Sequence, residues 1–371
     1  MNTDETYMLR AVSLAKKGLG FVNPNPLVGA VLVKNGTIIG EGFHSQYGKE
    51  HAERQAFQSC LEPAEGATLY VTLEPCCHQG KQPPCTDLII AHKIAKVVVG
   101  SMDPNPLVAG KGILLLRQHG IQVVTGVLKG TCDSLNEIFF HYITTGRPFV
   151  ILKYAMTADG KIATVTGRSQ WITGEGARHH VHETRKRVAA VMVGIGTVLA
   201  DDPILNCRLE HPQNPVRVVC DSHLRIPLHS KIVQTAKEIP TIVATLSREE
   251  NRKKQLQDLG VTVLQAEKQN QRIDLMRLME RLGKWNLDSV LLEGGAELNY
   301  SALECGIISK AQVYIAPKLF GGALAKSPLG GAGVQTPAEA YLLSQPSVSR
   351  LGEDLLLEFK LGGTKTCSPE S

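Results

Sequence analysis

One histidine and two cysteines, His51, Cys76 and Cys85, frame the stretch of this chain best suited to chemistry. It opens His51-Ala52-Glu53 and closes Glu74-Pro75-Cys76-Cys77-His78-Gln79-Gly80-Lys81-Gln82-Pro83-Pro84-Cys85. One imidazole and two thiolates give a tetrahedral Zn²⁺ three protein ligands and leave its fourth position to water, the mark of a catalytic site; structural zinc is closed by four protein ligands. A bound zinc brings the pKa of that water towards neutrality. Glu53 is not needed by the metal, and its type and position suit it to take a proton from the water, pass it to a ring nitrogen and then to a leaving amine. The competing reading is a closed zinc knuckle in which Cys77 or His78 is the fourth ligand, but Glu53 then has no task.

These residues resemble the zinc nucleobase deaminases, whose signature is H-x-E followed by P-C-x-x-C. The long Cys76–Cys85 loop departs from x-x and is similar to the deaminase half of the bifunctional deaminase–reductases of riboflavin biosynthesis. That resemblance implies one zinc per chain and a substrate pocket to which Asn25, His44, His78 and Lys81 contribute. An Asn amide can read a pyrimidine edge, while Lys and His suit a phosphate.

The elements that must position these groups follow from periodicity and turn chemistry. Met8, Leu9, Val12 and Ala15 predict a first helix ending near Gly18, and Asn23-Pro24-Asn25-Pro26 a rigid loop. Asn35-Gly36 predicts a hairpin between the apolar run 27–33 and a strand at 37–42. A helix starting at His51 runs to about Cys60, and residues 67–73 form a strand. Cys76 is expected at the entry to a helix, where negative charge is favoured. A helix at 86–92, a strand at 95–100, a helix at 112–119 and a strand at 121–124 complete a three-layer α/β/α unit. Asp103-Pro104-Asn105-Pro106 reads as a turn.

Thr144-Thr145-Gly146-Arg147-Pro148 has linker character and divides the chain into 1–146 and 147–371. Beyond it, strands at 149–155, 188–193, 216–220, 241–245, 261–264 and 289–292 alternate with helices near 176–187, 248–259 and 273–282. This predicts a second α/β domain with a mainly parallel sheet. Asp159-Gly160 turns the chain. Glu293-Gly294-Gly295 falls where a strand becomes a helix and lets backbone N–H groups approach a phosphate, although no G-x-G-x-x-G is present. The tail from Gly362 is polar.

Patterns alone leave this half a nucleotide-binding α/β domain. Lys153-Tyr154-Ala155-Met156-Thr157-Ala158-Asp159-Gly160-Lys161, Trp171-Ile172-Thr173, Thr197, Asp201-Asp202-Pro203 and Glu293-Gly294-Gly295 together resemble the reductase half of the same family. The resemblance covers nearly the whole chain and implies a cytidine-deaminase-like N-terminal domain followed by a dihydrofolate-reductase-like domain that uses NADPH. It places Ala155, Trp171, Thr197, Asp201, Ser222 and Gly295-Ala296-Glu297-Leu298-Asn299-Tyr300-Ser301 at cofactor positions. Lys153, Ser169, Arg185, Leu205, Arg208 and Glu293 fall at substrate positions. Arg185 and Arg208 suit a ribose phosphate, because guanidinium binds phosphate bidentately, and Asp201 is suited to place a proton near the reacting sugar carbon.

Composition narrows the alternatives. The 371 residues are 43% hydrophobic and 20% charged, as in a globular protein of about two domains. A net charge of +5 with 5% aromatic residues shows no basic stripe for a phosphate backbone, which disfavours a nucleic-acid deaminase. No apolar run is long enough to span a bilayer, and the acidic, polar opening has no signal-peptide pattern. Nine cysteines, three of them within Cys76–Cys85, fit a reducing cytoplasm rather than a disulfide framework. The partner implied is a small phosphorylated pyrimidine, with a two-fold or higher homo-oligomer as the default assembly.

Overall fold

Helix α1 (Thr3–Ala15) leads to a hairpin of β1 (Gly29–Lys34) and β2 (Thr37–Phe43). Asn35 and Gly36 turn it with φ of 51° and 78°, the left-handed pair that a two-residue hairpin requires. Helix α2 (Ala52–Gln58), β3 (Thr68–Leu73), α3 (Cys85–Ala91), β4 (Lys96–Ser101), α4 (Lys111–Gln118) and β5 (Gln122–Thr125) follow, then α5 (Lys129–Leu135) and α6 (Glu137–Thr145). The sheet order is β2-β1-β3-β4-β5, antiparallel as far as β3 and parallel beyond it.

Alternation along the strands sorts side chains onto two buried faces. Ala30, Leu32, Val71 and Val97 meet Ala56, Ile89 and Leu116 of α2, α3 and α4. Val31, Val33, Tyr70 and Val98 meet Met8 and Val12 of α1 and Cys132 of α5. Burial on both sides explains why β1 reads as an uninterrupted apolar run. This is the α/β/α arrangement expected from the sequence.

The computed structural model describes residues 3–79 and 82–361; Lys81 and the tail from Gly362 lie outside them. The chain forms two units, Met1–Gly146 and Arg147–Ser371. The segment 144–148, read as a linker, begins with the last two residues of α6, and the units divide within it, after Gly146. Gly146, at φ 67°, caps that helix; Thr144 and Thr145 are helical, and their hydroxyls donate back to the Phe140 and His141 carbonyls respectively.

The second unit runs β6 (Phe149–Thr157), α7 (Glu175–Arg187), β7 (Ala190–Gly194), α8 (Ile195–Asp201), β8 (Val216–Cys220), α9 (Lys231–Gln234), β9 (Thr241–Thr245), α10 (Glu250–Asp258) and β10 (Thr262–Gln265). A two-stranded ribbon of β11 (Lys268–Gln269) and β12 (Arg272–Ile273) precedes α11 (Leu275–Lys284), β13 (Ser289–Leu292), α12 (Ala296–Glu304), β14 (Ile308–Ala316), β15 (Ser347–Leu351) and β16 (Asp354–Lys360). The nine-stranded sheet has the order β10-β9-β8-β7-β13-β6-β14-β16-β15. It is parallel from β10 to β14, and the last two strands turn antiparallel. Helices α11 and α12 cover one face, and α8, α9 and α10 the other. The β7–β13 neighbours are joined to strands on opposite sides, so a crevice opens outside the carboxyl ends of the strands there, as in other open α/β sheets.

Candidate functional site

In the first unit, α2 lies directly on β2. A Cβ on Gly42 would stand 2.3 Å from the Ala52 carbonyl oxygen, so only glycine lets the helix come this close. His51 caps α2 in extended conformation, and Cys85 is the first residue of α3. Cys76 is not at a helix entry, contrary to the expectation from sequence; it sits in the loop after β3. Its sulfur nevertheless reaches the N-terminus of α3, 3.4 Å from the Cys85 backbone nitrogen, which donates to it.

The three donor atoms of His51, Cys76 and Cys85 lie within 4.8 Å of one another. His51 Nδ1 is 3.5 Å from Cys76 Sγ and 3.3 Å from Cys85 Sγ, against about 3.5 Å for nitrogen and sulfur sharing a tetrahedral zinc. The donor set fits that ion. The hydrogen bonds from Cys85 and His51 bring the Cys76 thiol down to about 4, while the bond to Cys76 and burial push Cys85 up. Among the described residues Cys77 and His78 do not join the cluster, and Cys77 Sγ points to the Leu107 carbonyl instead. Glu53, two residues after His51, is 3% exposed, and burial raises its carboxyl pKa.

Two carboxylates that sequence reasoning passed over support this pocket. Glu74 accepts N–H groups of Gly110, Gly112 and Ile113, clamping the loop before α4 to the end of β3. Asp103 forms the expected turn by accepting the Asn105 N–H. Its side chain is also buried, and that burial pushes it up to about 6. The burial of an acid two residues past a strand was the only signal for it, and no sequence pattern carries that.

Asn25 and His44 meet directly, with Asn25 Nδ2 3.0 Å from His44 Nε2. His44 Nδ1 lies 2.9 Å from the Glu50 carbonyl oxygen, to which it can only donate. That fixes the tautomer and leaves Nε2 as acceptor for Asn25. His44 is 3% exposed and burial lowers its pKa, so a neutral ring with both nitrogens engaged is not available to a phosphate. His78 differs: its Nδ1 is buried and has no partner among the described residues.

In the second unit a cleft of about 1640 Å³ follows the carboxyl ends of β6, β7, β8 and β13. This exceeds the 300–1,000 Å³ usual for one small ligand and has room for a dinucleotide beside a substrate. At its floor a Cβ on Gly294 would come within 3.3 Å of the Gly194 backbone nitrogen, so two turns are packed against each other. A Cβ on Gly196 would meet nothing within 4 Å; that face of the backbone is open. Gly295 caps α12 in extended conformation. Gly295 and Ala296, at the N-terminus of the nine-residue α12, line the cleft; a helix N-terminus there suits a pyrophosphate, and the cleft fits NADPH.

The cleft is lined by Lys153, Ala155, Ser169 and Trp171 together with Thr197, Asp201, Leu205 and Arg208. Ser222, Glu293, the run 295–299 and Ser301 complete it. Ser169 Oγ donates to Asp201 Oδ1 at 3.2 Å. Tyr300, placed among the cofactor positions, does not line the cleft. The helical turn directs it the other way, where its ring stacks on Gly331 and its hydroxyl donates to the Gly333 carbonyl.

Arg185 also departs from its expected use. Its Nε and Nη2 close on both Glu293 oxygens at 2.6 and 2.9 Å, and Nη1 donates to the Asn206 carbonyl. A fork occupied in this way is not open to a phosphate. Lys153 Nζ stands 3.8 Å from Glu293 on its other side. Against the cost of burial, these two cations bring Glu293 down to about 2.

The family model described as "RibD C-terminal domain" matches residues 148–357, and that described as "Cytidine and deoxycytidylate deaminase zinc-binding region" matches residues 1–101. The "Riboflavin biosynthesis protein RibD" of Actinobacillus pleuropneumoniae is 56% identical over 357 residues, covering 96% of this chain and 95% of that protein. The protein so named in Aquifex aeolicus is 44% identical over 358 residues, covering 96% and 98%. Among solved structures, Acinetobacter baumannii RibD matches with a TM-score of 0.86 at 38% identity, over 98% of this chain and 99% of that one. A Thermotoga maritima diaminohydroxyphosphoribosylaminopyrimidine deaminase/5-amino-6-(5-phosphoribosylamino)uracil reductase matches at 0.84 and 40%, over 97% and 99%.

Proposed function

The chain belongs to the RibD family of bifunctional deaminase–reductases in riboflavin biosynthesis, and from that premise we propose how its own residues divide the two reactions. The enzyme deaminates 2,5-diamino-6-ribosylamino-4(3H)-pyrimidinone 5′-phosphate hydrolytically with zinc, then reduces the ribosyl group with NADPH to give 5-amino-6-(5-phosphoribitylamino)uracil. Its first unit is cytidine-deaminase-like, and its second is an α/β reductase domain of the dihydrofolate-reductase-like class.

Bound zinc supplies a water acidified towards neutrality, and NADPH supplies the hydride. On our reading His51, Cys76 and Cys85 hold the metal. Glu53 accepts a proton from the attacking water and passes it to the ring nitrogen. It then takes the remaining proton from the hydroxyl now on C2 and transfers it to the amine as ammonia leaves. Asn25, its amide oriented by His44, reads the pyrimidine edge. His78 and Lys81 receive the phosphate. What carries this reading is the convergence of three soft donors with one buried carboxylate that none of them needs.

In the second unit we assign the cofactor to the walls formed by Ala155, Trp171, Thr197 and Ser222 and to the start of α12. Asp201, held by Ser169, places a proton at the sugar end of the substrate. Glu293, kept ionised by Arg185 and Lys153, accepts from substrate hydroxyls, and Arg208 takes the 5′-phosphate. The Glu53→Gln variant tests the division of labour, since it should lose deamination while keeping zinc and reduction.

We also propose a homo-oligomer. Residues 317–346 form a long segment with little regular structure, and within it Leu319, Leu324 and Leu342 are 77%, 90% and 74% exposed. A loop of this length and apolar exposure suits contact with a second copy, which sedimentation would detect. No helix among the described residues is long and apolar enough to cross a membrane. Thiol-rich chemistry and NADPH dependence fit the cytoplasm.

A further inference from the structure

His182 has no part in either reaction as described, yet it stands between two guanidinium groups. It lies on α7 one turn before Arg185, is 8% exposed and borders the cleft. Its ring faces two donors from a single residue. The backbone nitrogen of Arg208 is 3.3 Å from Nδ1, and the Arg208 Nε is 3.1 Å from Nε2. An imidazolium would offer only N–H groups to both donors, whereas a neutral ring has one in-plane lone pair to give. The charged guanidinium makes the stronger bond, so Nε2 is the acceptor. Burial and the two nearby guanidinium groups push His182 down to about 4, which keeps the ring neutral.

The two arginines thereby take different tasks. All three faces of Arg185 are engaged by Glu293 and Asn206. Arg208 is fixed at Nε, and among the described residues nothing bonds its terminal nitrogens, although the residue lines the cleft. A guanidinium anchored behind and open in front is a fork for an anion.

We propose that His182 is a positioning residue for the reductase, holding Arg208 by its Nε so that the terminal nitrogens meet the substrate's 5′-phosphate. This rests on the reading of Arg208 as the phosphate ligand. The side chain is ordered before substrate arrives, which is worth about 3- to 10-fold in KM.

The test measures KM and kcat of reduction in the full-length enzyme, using the deaminated phosphoribosyl intermediate and its dephosphorylated counterpart. Arg208→Gln should raise KM at least ~10-fold for the phosphorylated compound alone. His182→Ala should raise that same KM about 5-fold, with kcat within about 2-fold, and should add nothing in the Arg208→Gln background. His182→Gln, whose amide oxygen can accept the same N–H, should return KM to within about 2-fold of the unaltered enzyme. Equal effects of His182→Ala on both compounds, or full additivity with Arg208→Gln, would overturn the proposal while leaving the phosphate reading intact. If His182→Ala fails to fold, the glutamine variant decides: a folded protein with raised KM for both compounds overturns the proposal. An unchanged KM in Arg208→Gln overturns the phosphate reading itself, and the role of His182 with it.

Discussion

Asn25 Nδ2 lies 3.0 Å from His44 Nε2, and the other ring nitrogen of His44 is held by the Glu50 carbonyl. A backbone oxygen therefore sets a histidine tautomer, and the tautomer sets which end of an asparagine amide faces the substrate. With Nδ2 turned to His44, the Asn25 carbonyl oxygen and one N–H remain for the pyrimidine.

Loss of that relay should weaken recognition more than folding. His44→Ala is expected to raise the KM of deamination about 10-fold, near the worth of one misdirected hydrogen bond. Asn25→Ala should cost as much, and the double variant little more than either. Steady-state kinetics of deamination without NADPH checks this, and independent, additive losses would separate the two residues.

Glu53 carries the proton traffic on this account, and it does not hold the metal. Glu53→Gln should keep one zinc per chain by metal analysis and lose deamination by about 10²–10⁴-fold. Reduction of the deaminated intermediate should persist in that variant. Chelation should likewise stop deamination and spare reduction.

The Glu293 ion pair gives the reductase unit a defined acid sensitivity. Its folded pKa is lowered from 4.5 to about 2, so ionised Glu293 stabilises the fold above about 4.5, and that contribution is lost as pH falls from 4.5 towards 2. Trp171 and Trp285 are the chain's two tryptophans and both belong to this unit, so their fluorescence reports it selectively. Glu293→Gln should destabilise the unit by about 3–5 kcal/mol at neutral pH, because Arg185 is left buried without its partner. It should also flatten the loss of stability between pH 4.5 and 2.

Gly196 offers a test of the cofactor wall. A Cβ there meets nothing within 4 Å, so Gly196→Val should fold with an unchanged unfolding temperature. Its branched side chain would occupy the cleft, and NADPH affinity, read by calorimetry, should fall at least ~10-fold. Undiminished affinity would move the cofactor away from this turn.

What could be read from sequence divides along physical lines. His51, Glu53, Cys76 and Cys85 were legible because metal chemistry demands particular side chains, and the strands 216–220, 241–245 and 289–292 because apolar runs bounded by turns demand burial. The antiparallel edge was missed: β15 is exposed along most of its length and has no core face to stamp a pattern on it. Helices α5 and α6 were missed too, α5 contributing one buried residue, Cys132. Arg185 and Tyr300 show a different limit. Residue type says what a side chain can bind, but only the fold reveals that Glu293 already occupies one and that a turn of α12 carries the other away from the cleft.

One chain performs both reactions in order on this reading, and mass spectrometry of the diaminopyrimidinone ribosylamino-phosphate is the decisive measurement. Incubation with the zinc-loaded protein should exchange one amino group for oxygen without NADPH, and add two hydrogens to that product once NADPH is supplied. A zinc-loaded, folded protein that leaves the amine in place, or reduces the compound before any deamination, would contradict the account.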